Sequence, residues 1–375
     1  MKRQTGRRAL RGFSIVELMV STTISLIMFG VIIELFASNK EAYRLQEGAS
    51  VLNENARFAV AHLQFYMRLA DHWGGIEPVN VSVDAGVPAP SFIDVTVTEC
   101  DGDNVISNVG FRGFDSVNTD LPLPLNCMGN NYEPNTDAFF IRYGVSHEHG
   151  RVITDESDPV ANGVPVMPNS TDGETPVLSS YVSGAEGDGI WLRTVLGRRS
   201  VIFENSDLAD LPSDVYSAGD PDPVAVTNYR YQAMLYYIRS CEYPETTGTA
   251  TLCDSTDDSI PTLVRLTLNP DLSFDEEVIV SGVENMQLLY GVDDSGDFVA
   301  DRYDVAEDID DASNWSNVVS VRVSLIVANL ERDNTVNDTK TYYVLDSTWQ
   351  PPAEGRNFRR SQYDFTVQIR NMTRA

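Results

Sequence analysis

Gly12-Phe13-Ser14-Ile15-Val16-Glu17 opens an apolar run that continues to Ala37, and the leader before it carries Lys2, Arg3, Arg7, Arg8 and Arg11 without one acid. Phe13 to Ala37 is 25 residues. As a helix that is ~37 Å at ~1.5 Å per residue, long enough to cross a hydrocarbon layer ~30 Å thick. The basic flank keeps the N-terminus in the cytoplasm and sends the chain beyond Ala37 outside. Glu17 stands out, because a carboxylate within a span costs ~2.5–3.5 kcal/mol at the bilayer centre and less near an interface. It either has a partner or, six residues after Arg11, snorkels to the headgroups. Glu34, at the far end, reads as interfacial.

A secretory signal is cut after its apolar run at small residues, and Leu35-Phe36-Ala37-Ser38 fits that poorly. The better junction is Gly12-Phe13, before the run, where a residue without a side chain enters a peptidase site at the membrane face. In these features, the basic leader, Gly-Phe, the apolar helix and a Glu at its fifth position, the sequence resembles the class III signal of type IV prepilins. The resemblance implies cleavage after Gly12 by a prepilin peptidase, N-methylation of Phe13, and an assembly role for Glu17 through the terminal amine of a neighbouring subunit.

With 375 residues and 42% apolar composition the chain has ample material for a core. A formal charge of −28 argues against nucleic acid or an anionic bilayer as the main partner and suits a solvated exterior domain. Cys100, Cys127, Cys241 and Cys253 all follow the apolar run, where an oxidising compartment favours disulfides. The preferred pairs are Cys100 with Cys127 and Cys241 with Cys253, each closing a local loop; a zinc site lacks C-x-x-C and nearby histidines.

Beyond Ala37, Leu45, Ala49, Leu52, Ala56, Ala59, Leu63, Tyr66 and Ala70 form an apolar stripe at helical spacing, opposite Arg44, Glu47, Asn53, Glu54 and Arg57. One helix is predicted from about Ser14 to about Ala70, stopped by Gly74-Gly75 and Pro78. Gly30 either weakens it locally or permits close packing. The organisation is then a leader over 1–12, an apolar assembly half over 13–37, an amphipathic half over 38–73, a loop-rich β region over 74–228 and an antiparallel β region over 229–375. In the loop-rich region the β-like pieces are Phe92–Val97, Ala138–Tyr143, Ile190–Val195 and Ser200–Glu204, and Ser206–Val226 reads as an exposed connection. From Tyr229 the period becomes two, with strands at Tyr231–Tyr237, Val264–Leu268, Glu277–Val283, Met286–Val292, Val318–Val327, Thr341–Leu345 and Phe365–Ile369. A long helix laid on a largely antiparallel sheet is an α+β fold, and a pilin-like one on the prepilin resemblance.

Val283-Glu284-Asn285-Met286-Gln287-Leu288-Leu289-Tyr290-Gly291-Val292-Asp293, Asn317–Leu325, Phe358-Arg359-Arg360 and Thr366–Asn371 resemble the PilW-type minor pilins, as do Tyr43–Glu47 and Asn55–Ala59 in the helix. The resemblance leaves 79–227 uncovered. It implies a subunit that primes pilus assembly and sits at or near the tip. Its partners would be major and minor pilins, the prepilin peptidase, the inner-membrane assembly machinery and a tip adhesin. Its location would be the inner membrane first and the extracellular pilus later. A minor pseudopilin of a type II secretion system would share leader and helix; loss of twitching or of protein export on deletion separates the two. A membrane-anchored exterior enzyme is the reading from another class, but no G-x-S-x-G, H-E-x-x-H or P-loop occurs, so catalysis is not expected.

One constellation suggests an ion. Counting Asp293 as one, Asp293, Ser295, Asp297, Asp301 and Asp304 fall at one, three, five, nine and twelve, the spacing of an EF-hand loop, which makes Ca²⁺ the one cofactor to test. Phe298 stands where the turn glycine is expected, Gly296 comes two positions early, and Asp304 replaces the usual Glu. The competing reading is an acidic solvated hairpin. His147-Glu148-His149 reads as an exposed turn before Gly150, and His62 and His72 as packing or capping residues. Tyr229, Tyr231, Tyr236, Tyr237 and Tyr243 line either a binding face or a strand-rich core.

Overall fold

The computed structural model describes residues 14–84, 105–115, 128, 131–149, 189–195, 198–204, 226–247, 250–253, 260–269, 272–311, 314–333, 335–369 and 371. Phe92–Val97, Cys100, Cys127, Gly12, Phe13 and most of the Ser206–Val226 connection lie outside them. The elements run α1 (Ile15–Met67), β1 (Val81–Val83), β2 (Phe111–Phe114), β3 (Ala138–His149), β4 (Ile190–Val195), β5 (Arg199–Glu204), β6 (Val226–Arg239), β7 (Glu245–Thr247) and β8 (Ala250–Leu252). They continue with β9 (Thr262–Leu268), β10 (Phe274–Ser281), β11 (Val283–Val292), β12 (Arg302–Asp304), α2 (Ala306–Asp311), β13 (Val318–Ala328), β14 (Tyr342–Val344), β15 (Ser347–Trp349) and β16 (Arg360–Gln368). Two compact units divide the chain, Met1–Val51 and Leu52–Ala375.

In the second unit an eight-stranded sheet runs β1-β5-β4-β6-β3-β2, with β9 also on β6 and β10 on β9; a four-stranded sheet runs β12-β11-β13-β16. Only β1 with β5 is a parallel pair among the described strands. The α+β expectation therefore stands, and the region before Tyr229 adds five of the larger sheet's strands. His147 to His149 lie in the end of β3, with His149 in register with Tyr229, rather than in a turn. The ladder to β6 shifts between Val145 and His149, which is where a period-two reading loses the strand.

Two apolar layers explain the sequence pattern. Along β6, Met234, Tyr236 and Ile238 face one core with Ala56, Ala59, Leu63 and Met67 of α1, while Tyr231, Ala233, Leu235 and Tyr237 face another with Trp73, Phe140 and Val264. Both faces of β6 are thus covered, so four of its tyrosines and apolar residues on each side are packing groups rather than a binding face. Ala56 and Ala59 are small enough to let the helix settle closely on the sheets. Burial on α1 begins at Leu52; Leu45 is half-buried and Ala49 exposed. Gly30 lies in open space, where an added Cβ would meet nothing among the described residues.

The helix stops at Met67, a few residues short of the expected Ala70. Asp71 adopts a left-handed φ of 60°, and the Asn371 side-chain amide donates to the carbonyls of Arg68, Leu69 and Ala70 at 3.3, 3.4 and 2.8 Å. The Leu69 carbonyl also accepts from the His72 amide at 3.2 Å, and a side chain distant in sequence completes the cap. At the other end of this packed segment the Tyr363 hydroxyl donates to Asn53 at 2.8 Å. The segment from Asn53 to Ala70 spans ~25 Å and that from Tyr363 to Asn371 ~26 Å, so the part of α1 from Asn53 onward and β16 run alongside each other in one direction.

Candidate functional site

Val16 to Phe36 presents its large apolar side chains outward; Leu26, Phe29 and Phe36 are 71%, 63% and 72% exposed. This first part of α1 is long and apolar enough to cross a membrane once. Its hydroxyls need no outside partner: Ser21 and Thr22 donate to the Leu18 carbonyl at 3.0 and 2.9 Å, Thr23 to Met19, and Ser25 to Ser21 at 2.8 Å. Each buries its polarity in the helix's own carbonyls, as hydrocarbon requires.

At the helix start the Ser14 and Glu17 side chains both accept from backbone amides of the first turn. The Ser14 amide donates to Glu17 Oε2 at 3.1 Å and the Val16 amide to Ser14 Oγ at 3.3 Å. This is the Glu half of an S-x-x-E capping box, the Ser14 hydroxyl taking the Val16 amide rather than that of Glu17, and it sets the Glu17 side chain at the positive end of the helix dipole. The signal Ser14-x-x-Glu17 was present in the sequence, masked by the stronger reading of the same residues as the mouth of a membrane segment.

The acidic turn closes on itself. Asp293 follows β11, and its Oδ1 accepts from the amides of Ser295, Gly296 and Asp297 at 3.1, 2.7 and 3.3 Å, while Oδ2 accepts from Phe298 at 2.7 Å. Desolvation pulls the Asp293 carboxyl up, but these amides outweigh it and hold it below the usual carboxylate range. Asp301 Oδ2 accepts from the Asp294 and Ser295 amides, Asp297 Oδ1 from Val299, and Asp304 pairs with Arg302. Phe298 at the turn position has φ 64°, so it occupies the left-handed region expected of glycine there. Among the described residues no group of three or more His, Cys, Asp or Glu side chains is placed to hold a metal ion.

Cys241 and Cys253 form a disulfide with Cα atoms 5.7 Å apart, closing the β7–β8 hairpin. His62 is half-buried against Tyr236, 3.1 Å from its hydroxyl; burial, then the Arg265 charge, lower its pKa to about 4. It is a neutral packing residue at physiological pH.

Three polar knots were invisible to sequence reading because they join distant residues. Asp71, buried where α1 ends, accepts from the Gly110 amide at 2.8 Å and from Trp73 Nε1 at 3.1 Å, and burial raises its pKa to about 7. Beside it the buried Arg142 donates to the carbonyls of Val105 and Val109 at 3.0 and 2.8 Å, its pKa pushed down to about 10 by burial. In the second knot Arg360 pairs with Glu284 through two nitrogens and lies 3.5 Å from Asp338, with Trp349 and Phe358 rings on its guanidinium. In the third, Arg239 pairs with Glu276 and donates to the Cys241 carbonyl at 2.9 Å, while Tyr237 donates to Glu276 at 2.5 Å.

Glu284, Arg360, Asn371 and the disulfide-closed hairpin all lie within or at the border of one region. Residues 242–371 match the family described as type IV pilus-assembly protein W. No curated protein and no solved structure matches the chain. The matched stretch contains the whole four-stranded sheet, its Glu284–Arg360 tie and the Asn371 clasp on α1. Over residues 242–371, about a third of its length, the chain is similar to the type IV pilus-assembly protein W family.

Proposed function

We propose that the chain is a minor type IV pilin that primes pilus assembly and is incorporated at or near the tip. The observation that carries this reading is the outward-facing apolar start of α1, with Glu17 at its first turn, on a chain whose carboxy-terminal region is PilW-type. In this reading the leader is removed after Gly12, Phe13 becomes the methylated terminus, and the apolar helix exchanges lipid for the helices of other pilins. Glu17 then gives up the Ser14 amide for the terminal amine of a neighbour, a stronger, charge-assisted partner in a medium of low dielectric. The role is structural, with no reaction to catalyse, and the partners are other pilins, the prepilin peptidase and the inner-membrane assembly machinery.

Mass spectrometry of the membrane-extracted protein tests the reading. The expected N-terminal peptide begins at Phe13 with one added methyl group; a peptide beginning at Met1 or Lys2 would overturn it. Glu17→Val should still insert in the membrane and should be lost from sheared pili, whereas equal incorporation removes the role given to Glu17. For the acidic turn, whose carboxylates are engaged by amides, titration calorimetry of the full chain in detergent with millimolar Ca²⁺ should show no heat. A saturable heat would assign the ion to it.

A further inference from the structure

Most sheet edges in the described residues are short or guarded. β1 and β12 have 3 residues each and β2 has 4. β10 is longer, but its ladder shifts between Val278 and Val280 and it carries Asp275, Glu276 and Glu277. Such bulges and charges keep other strands away. β16 is different: its 9 residues pair with β13 without one shift, from Ser320 opposite Gln368 to Ala328 opposite Arg360.

The direction of its free groups follows from the ladder. Ile369 donates to the Val319 carbonyl at 2.9 Å and Asn329 to the Arg359 carbonyl at 2.8 Å, so odd-numbered residues of this strand hold the hydrogen bonds to β13. Antiparallel ladders alternate, so the backbone N–H and C=O of Gln362, Asp364, Thr366 and Gln368 point away from the sheet. Among the described residues none of these four has a backbone partner. On the core face Tyr363 and Phe365 pack against the apolar cluster yet stay half-buried, as though the layer stops one strand early.

From this the geometry points to β16 as a strand-addition site, where an extended segment of another protein pairs with Gln362 to Gln368, its apolar residues covering Tyr363 and Phe365. A second copy of this chain is a poor occupant, because a charge of −28 repels its like. The favoured segment alternates apolar with basic or neutral polar residues. Main-chain hydrogen bonds supply affinity in such recognition, and the apolar positions supply register.

The test uses the full chain in detergent and a labelled ten-residue peptide alternating valine with lysine and threonine. Thr366→Pro removes one outward N–H and leaves the β13 ladder intact, as edge strands permit. Binding should fall about tenfold or more in Thr366→Pro and stay unchanged in Thr366→Val. The same peptide N-methylated at alternate residues should lose binding to the unaltered chain, which keeps the test valid if the proline variant unfolds. Equal binding by Thr366→Pro or by the methylated peptide, or none by the unaltered chain, overturns the proposal. So does a dimer of the chain that Thr366→Pro dissolves, since that makes a second copy the occupant. None of these outcomes depends on the pilus reading.

Discussion

Asp71 is held in an unusual electrostatic position, a carboxyl buried at the negative end of α1. Its folded pKa of about 7 lies above the ordinary value of 3.8, so between those limits the folded chain binds a proton that the unfolded chain has released. Stability from this group is complete below about pH 4, declines as pH rises toward 7, and stays reduced above it, by up to about 4 kcal/mol. Asp71→Asn keeps the acceptor for Gly110 and Trp73 and tolerates φ 60°, and it carries no charge. Urea unfolding across pH 4–9 should show the variant to be more stable above pH 7 and flatter in its pH dependence than the parent. Tyr290 makes the opposite case. It is fully buried, its hydroxyl has no hydrogen-bond partner among the described residues, and a Cβ on Gly113 would lie 1.7 Å from it. Removing an unsatisfied buried hydroxyl relieves its desolvation, so Tyr290→Phe should raise stability by about 1 kcal/mol, measured as a shift in urea midpoint at constant slope. Neither residue announces itself in the sequence. Asp71 follows a helix where a polar stop is ordinary, and Tyr290 reads as one more strand aromatic.

At the scale of elements, the helix and the later strands were legible because each has one period over a long stretch. The 3.6-residue stripe from Leu52 to Ala70 and the alternation in Val318–Val327 are both read directly as packing surfaces. The end of α1 was not, since its cap comes from Asn371 rather than from the glycines nearby. Asn371→Ala leaves three carbonyls without that donor and should destabilise the fold by about 1–2 kcal/mol, with faster amide exchange confined first to the last turn of α1. The tie between β11 and β16 is a stiffer test. The Arg360 side chain is 0% exposed and that of Glu284 11%. Arg360→Met alone takes the cation from the buried Glu284 and Asp338 carboxylates and should cost about 3–5 kcal/mol, whereas adding Glu284→Met should recover part of it, Asp338 keeping the Tyr342 hydroxyl. A double-mutant cycle in denaturant measures the difference. Glu284 and Arg360 were each singled out by resemblance, but nothing in sequence spacing joins residues 76 apart.

Over the whole molecule, charge dominates. A chain of −28 repels itself when folded, so its melting temperature should rise between 20 and 200 mM NaCl as the Debye length falls from about 20 Å to below 10 Å. A scan at the two salt concentrations checks this, and an unchanged or lower value would mean that ion pairs such as Arg239–Glu276 outweigh the repulsion. The α+β class, the carboxy-terminal strands and the Cys241–Cys253 pair could be read from the chain alone because each is a local pattern. The eight-stranded sheet could not: it interleaves strands from Val81 to Ser281, and its order reflects contacts between segments separated by long stretches of loop composition.

The Asn371 clasp has a temporal consequence. It joins residues 303 apart in sequence, so the last turn of α1 is secured only after the strand β16 has docked beside it. A folding intermediate in which β16 has not yet docked lacks that fastening, and the end of its helix frays.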